Sequence, residues 1–173
     1  MTGAERIGAV DVHYPVSGGA CAALVVAADR GLAAVVEEHV VRLGTVEPYE
    51  PGFFFRRELP AIEAVLGRTA AVDLLIIDGY VDLDPGGSPG LGAHVHEQLG
   101  LPVVGVAKTE FRTASHAVVV RRGGSTRPLY VTAVGVGLAE AAAMVAGMAG
   151  PHRIPDALRR VDELARTGVP SRT

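Results

Sequence analysis

Two stretches of this chain leave a folding polypeptide little choice. Leu74-Leu75-Ile76-Ile77, within 71–78, and Val103-Val104-Gly105-Val106-Ala107, within 102–107, are short apolar runs ended by Gly79 and Lys108. Runs of this length without alternation read as strands covered on both faces, as in a parallel sheet between two layers of helices. A three-layer α/β arrangement therefore frames the rest of the chain.

The other segments supply those layers. Residues 7–14 read as a β-branched strand, and 20–28 and 32–41 as a hairpin around Asp29-Arg30-Gly31. Residues 46–55 hold two prolines and a glycine and predict a loop, although half of the chain's aromatics lie there. Leu59, Ile62, Val65 and Leu66 recur at helical spacing and predict a helix over 58–66, with Pro60 in its first turn. A breaker-rich loop over 82–90 precedes a short helix at 91–99. A second hairpin is expected from 117–120 and 129–134, then helices over 138–148 and 156–166. The order predicts a mixed sheet, its first three strands antiparallel and the next parallel, flanked by helices.

Composition narrows the function. With 49% hydrophobic residues but only 5% aromatic, the core must be filled by Ala, Val, Leu and Ile, and residues 1–173 are expected to form one domain. Cys21 is the only cysteine, which excludes an intrachain disulfide. A formal charge of −3 advertises no general affinity for nucleic acid, so phosphates would have to be met by local basic groups or bound cations. The opening residues carry no basic segment followed by an apolar run. The uncharged apolar stretch 128–139 is too short to cross a bilayer, so a cytoplasmic chain without a membrane partner is expected.

Four acids stand where acids are awkward. Asp11 interrupts an apolar strand, Asp78 closes another, Glu58 shares a helix side with Ile62 and Val65, and Asp162 edges the apolar face of the last helix. Each has an ordinary reading: Asp78-Gly79 as a turn, Glu58 as a first-turn acid, Asp162 as a partner of Arg159 or Arg166. Gathered together they would repel one another unless a cation neutralised them. Magnesium or manganese, which favour oxygen ligands, would answer that problem and support phosphodiester hydrolysis. His94-Val95-His96 lies on a predicted helix, where two residues apart means different faces, so no shared ion is expected there.

Six segments carry a resemblance. Asp11-Val12-His13-Tyr14, Pro48-Tyr49-Glu50-Pro51-Gly52, Phe55-Arg56-Arg57-Glu58-Leu59-Pro60-Ala61, Ile76-Ile77-Asp78-Gly79, Gly105-Val106-Ala107-Lys108, and the stretch from Arg153-Ile154-Pro155 to Asp162 resemble endonuclease V in order and approximate spacing. The resemblance implies an RNase H-like fold and a metal-dependent endonuclease acting in nucleic-acid repair. Such an enzyme cuts a phosphodiester on the 3′ side of deaminated adenine (inosine) in DNA or RNA, using Mg2+ with Mn2+ as substitute. It implies Asp11 and Asp78 as the main metal ligands, Glu58 reaching the metal directly or through water, and Asp162, at a variable acid-or-histidine position, as a further metal residue. Lys108 would stabilise charge at the scissile phosphate. Tyr49, with Pro51 and Gly52, would form a loop that wedges beside the lesion, and Gly79 and Tyr80 would border the pocket for the displaced base. Arg57 and His94 match substrate-side positions, and a monomer is expected.

The chain also departs from the family pattern. Tyr80 stands where the family has a histidine, and Asp82-Leu83-Asp84-Pro85-Gly86 replaces a His-Pro-Arg segment. Lost positive charge there keeps a second reading open, a catalytically weak or repurposed RNase H-like nucleic-acid-binding protein. Asp82 and Asp84 raise a third, a related phosphodiesterase with an additional cation.

Overall fold

The computed structural model describes residues 4–169, so residues 1–3 and 170–173 of the expected single unit lie outside the described residues. The strands are β1 (Ile7–His13), β2 (Ala20–Ala27), β3 (Val35–Leu43), β4 (Leu74–Asp78), β5 (Val103–Ala107), β6 (Val118–Val120) and β7 (Leu129–Val134). The helices are α1 (Phe54–Leu66), α2 (Leu91–Leu99), α3 (Leu138–Gly147) and α4 (Asp156–Thr167). One sheet holds the strands in the order β3-β2-β1-β4-β5-β7-β6. The first three are antiparallel, β1, β4 and β5 run parallel, and β7 and β6 close the far edge antiparallel.

Central β4 and β5 carry the two runs that constrained the fold, and Leu74 to Ile77 and all of β5 are buried. Alternate residues of these strands feed two cores. Ala9, Ile76, Val104 and Val106 pack under α3 and α4, while Val10, Leu75, Ile77 and Val103 pack under α1 and α2. Apolar burial on both faces supplies the main stabilising free energy.

Two sequence expectations need correcting. The helix expected from 58 begins at Phe54, so the aromatic run opens it instead of ending a loop. No side chain caps its first turn. That turn is instead held by the Phe55 ring, stacked 3.6 Å from the His94 ring of α2, a tertiary contact that periodicity does not register. Pro60 therefore lies inside the helix, not in its first turn, and denies the Arg56 carbonyl its usual donor. Because Pro60 and Arg56 are exposed, water can serve that carbonyl. The third strand also slides along the chain, from the expected 32–41 to Val35–Leu43.

Buried Arg122 fixes the passage between α3 and α4. Its guanidinium donates to the carbonyls of Ala146, Met148, Gly150, His152 and Arg153. Carbonyls that no helix or strand satisfies thereby find donors inside the protein.

Candidate active site

Strand pairing builds the site. Val10 of β1 pairs with Ile77 of β4, so the next residue on each parallel strand is an aspartate, Asp11 and Asp78. Their side chains leave the sheet on the face opposite Val10 and Ile77, toward α4. Both stand near the carboxyl ends of neighbouring parallel strands, where open α/β sheets collect their ligands. Asp162 reaches Asp11 from α4 close enough for the two carboxyls to share a proton. Glu58 approaches from α1 in the other layer and is buried, 6% exposed. Lys108, just beyond β5, places its Nζ 3.0 Å from Asp78 Oδ2.

Gly79 makes the tight exit from β4. At φ +122° it occupies backbone space that side chains rarely tolerate, and its N–H donates to the Val106 carbonyl at 3.1 Å. Gly105 fits beneath it, since a Cβ there would lie 2.5 Å from the Gly79 carbonyl oxygen. The missing side chain of Gly105 therefore leaves room for the backbone at Gly79.

The electrostatics differ sharply among these carboxyls. Burial first, then the charge of Asp78 and contact with Asp162, push Asp11 well above the usual carboxylate range. Burial likewise pushes Glu58 to about 7, opposed by the Tyr14 hydroxyl and helped by the charge of Asp11. That hydroxyl is buried and makes no hydrogen bond of normal geometry, so its influence is that of a nearby dipole. Burial also raises Asp162, but Arg166, 3.1 Å away, and the contact with Asp11 outweigh it and hold Asp162 low. Burial disfavours the Lys108 ammonium, yet the nearby charge of Asp78 prevails and keeps it firmly cationic.

Two small cavities flank the cluster. One of about 20 Å³ is bordered by Asp11, Glu58 and Asp78. Another of about 20 Å³ lies between Asp11, Asp78, Lys108 and the apolar Leu129, Leu158 and Val161. Either is roomy enough for one water-sized occupant. Among the described residues no three His, Cys, Asp or Glu groups close around a single point. The donor set is oxygen only, the acids are short of cations, and the space is small, which fits a hard divalent ion that completes its shell with water and substrate oxygens.

The remaining predicted residues are placed apart from this cluster. Tyr49 is 62% exposed and meets Phe54 edge-on, with ring centroids 6.4 Å apart, while Pro51 and Gly52 form the exposed turn between them. Arg57 lays its guanidinium 3.8 Å from the Tyr14 ring centroid, beside Glu58. His94 is occupied by Phe55, and His96 Nδ1 lies 2.6 Å from the Leu101 carbonyl, so these histidines go separate ways. Tyr80 braces the loop after β5, donating to the Thr109 carbonyl and accepting from Phe111 N–H. Asp84 spends its carboxylate on its own turn, accepting from Ser88 N–H. Sequence reasoning missed two supports, Tyr14 beside Glu58 and Arg153, whose Nη2 grips the Lys108 carbonyl. Tyr14 had a signal, a phenol three residues after an intrastrand aspartate. Arg153 had none beyond its motif.

Comparison with known proteins follows the same lines. The Endonuclease V family model matches residues 1–130. An Endonuclease V from Azotobacter vinelandii is 33% identical over 180 residues, covering 92% of this chain and 81% of that protein. The crystal structure of Endonuclease V from Streptomyces avermitilis superposes with a TM-score of 0.78 at 30% identity, covering 96% of this chain and 82% of the other. That of Ciona intestinalis Endonuclease V, in complex with DNA containing an inosine followed by a ribo-adenosine, shares the fold at a TM-score of 0.81 and 17% identity, with 95% and 85% covered.

Proposed function

This chain belongs to the endonuclease V family, and from that premise we propose that it hydrolyses a phosphodiester on the 3′ side of inosine, in DNA or RNA, as a step of nucleic-acid repair. The observation that carries the reading is the pair Asp11 and Asp78 on adjacent parallel strands, with Lys108 3.0 Å from Asp78. The substrate follows from the family, whose Ciona member was crystallised with inosine-containing DNA.

Asp11, Asp78 and Glu58 would hold Mg2+, or Mn2+ in its place. Such an ion, when bound, polarises phosphoryl oxygen and lowers the pKa of water. The protein's own residues do the rest. Asp162, held low by Arg166, orients Asp11 through the contact between their carboxyls. Lys108 remains charged through its pairing with Asp78 and offers a compact cation to the phosphate as negative charge builds in the transition state. The bare backbone after Gly79, flanked by Tyr80, would border the pocket that receives the edge of a displaced base. Tyr49, held out on the turn of Pro51 and Gly52, presents a ring face for stacking, with Arg57 and His94 buttressing α1 behind it. No helix among the described residues is long and apolar enough to cross a membrane, and a cytoplasmic location is part of the proposal. A monomeric single domain completes the reading.

End-labelled DNA and RNA strands with one inosine or none, incubated with the protein in magnesium, manganese or EDTA, test it. Metal-dependent cuts on the 3′ side of inosine that vanish in Asp11→Asn are expected. Strands left intact by folded, metal-binding protein would sink the proposal in favour of a binding role, which the missing His-Pro-Arg segment motivates.

A further inference from the structure

Beside the carboxylates, on the far side of Lys108, runs a surface groove of about 250 Å³ bordered by Lys108, Thr109, Glu110, Arg127, Tyr130 and Arg153. Three of these are cations and one is an acid. The groove is built, not incidental. Arg153 donates from Nε to the Arg127 carbonyl and from Nη2 to those of Pro128 and Lys108, tying the segment before β7 to the residue that pairs with Asp78. Its Nη1 group makes none of these bonds. Arg127 is exposed, and its guanidinium has no ion-pair partner among the described residues. An unpaired arginine beside an anchored one, in a groove that ends at the candidate scissile-phosphate lysine, is suited to a phosphodiester, whose oxygens accept charge-assisted hydrogen bonds.

We propose that this groove holds a backbone phosphate flanking the scissile one on the strand being cut, with Arg127 as its principal contact. The inference rests on the nuclease reading and extends it by assigning the path of the substrate backbone. Arg127 binds substrate in ground and transition states alike, so its loss falls on KM and not on kcat.

The test compares the parent with Arg127→Ala and Arg127→Lys on inosine strands of graded length, trimmed from either end, across a salt series. Arg127→Ala is expected to raise KM about three- to tenfold with kcat little changed, and to make the salt dependence of log K shallower by about one. Arg127→Lys, which keeps the charge, recovers most of the loss. The penalty disappears once trimming from one end removes the phosphate that fills the groove, and persists when the other end is trimmed. A penalty in kcat alone, or one indifferent to trimming from both ends, overturns the proposal. Fluorescence anisotropy of the same strands in EDTA judges the groove apart from cleavage. If the parent cuts nothing, the nuclease reading fails, and the groove still stands or falls on whether Arg127→Ala weakens binding.

Discussion

Carboxylates occupy two regions of this molecule under opposite conditions. On β3, Glu37 accepts from Thr69 Oγ1 and Arg6 Nη2 and pairs with His39, and these bonds hold it down at about 2. Nearby Glu38 takes a two-pronged contact from Arg160 of α4, at 2.7 and 2.9 Å. Around the ends of β1 and β4, by contrast, half-buried Asp11 and, from α1, buried Glu58 face other acids, and both are pushed up. The first region satisfies its charges and supports the fold. The second leaves negative charge unspent, a cost that makes sense only if something cationic binds.

The largest effect should come from the unsatisfied region. Asp78→Asn is expected to lower cleavage by about 100- to 1,000-fold, as loss of a few kcal/mol of transition-state stabilisation requires, measured as single-turnover rates in magnesium. An unchanged rate would break the contrast at its centre. In EDTA the related Asp11→Asn should melt higher than the parent, by roughly 3 °C for a gain of about 1 kcal/mol, because it removes a buried repulsion. Adding magnesium or manganese should raise the melting temperature of the parent and leave that of Asp11→Asn unmoved, read by differential scanning fluorimetry.

The satisfied region should answer in the other sense. Glu37→Gln is expected to cost about 1 kcal/mol at pH 7, measured by urea unfolding, with cleavage unaffected. Because the folded-state pKa of Glu37 is depressed, its contribution is present above the ordinary value of 4.5 and is lost as pH falls toward about 2. The stability gap between parent and variant should therefore narrow below pH 4.5; a gap that widens on acidification would contradict the assignment. The smallest effect belongs to Asp84→Ala, which should leave metal affinity in calorimetry unchanged, since that carboxylate serves only its own turn.

Much of this was legible along the chain because it is local. Unbroken apolar runs dictate strands covered on both faces, and 3.6-residue spacing dictates α4, whichever partners it meets. The awkwardness of Asp11, Asp78, Glu58 and Asp162 was also visible, since a charge within an apolar pattern needs no coordinates to be noticed.

Tertiary structure alone decided how those charges live. Asp162 meets both of its readings, pairing with Arg166 while touching Asp11 from the opposite end of the chain. The early start of α1 depends on a ring stack with α2, and the placement of Lys108 on the grip of a distant Arg153. Sequence periodicity records which face of an element is buried, whereas a carboxyl's charge state is set by burial and by neighbours that only folding assembles.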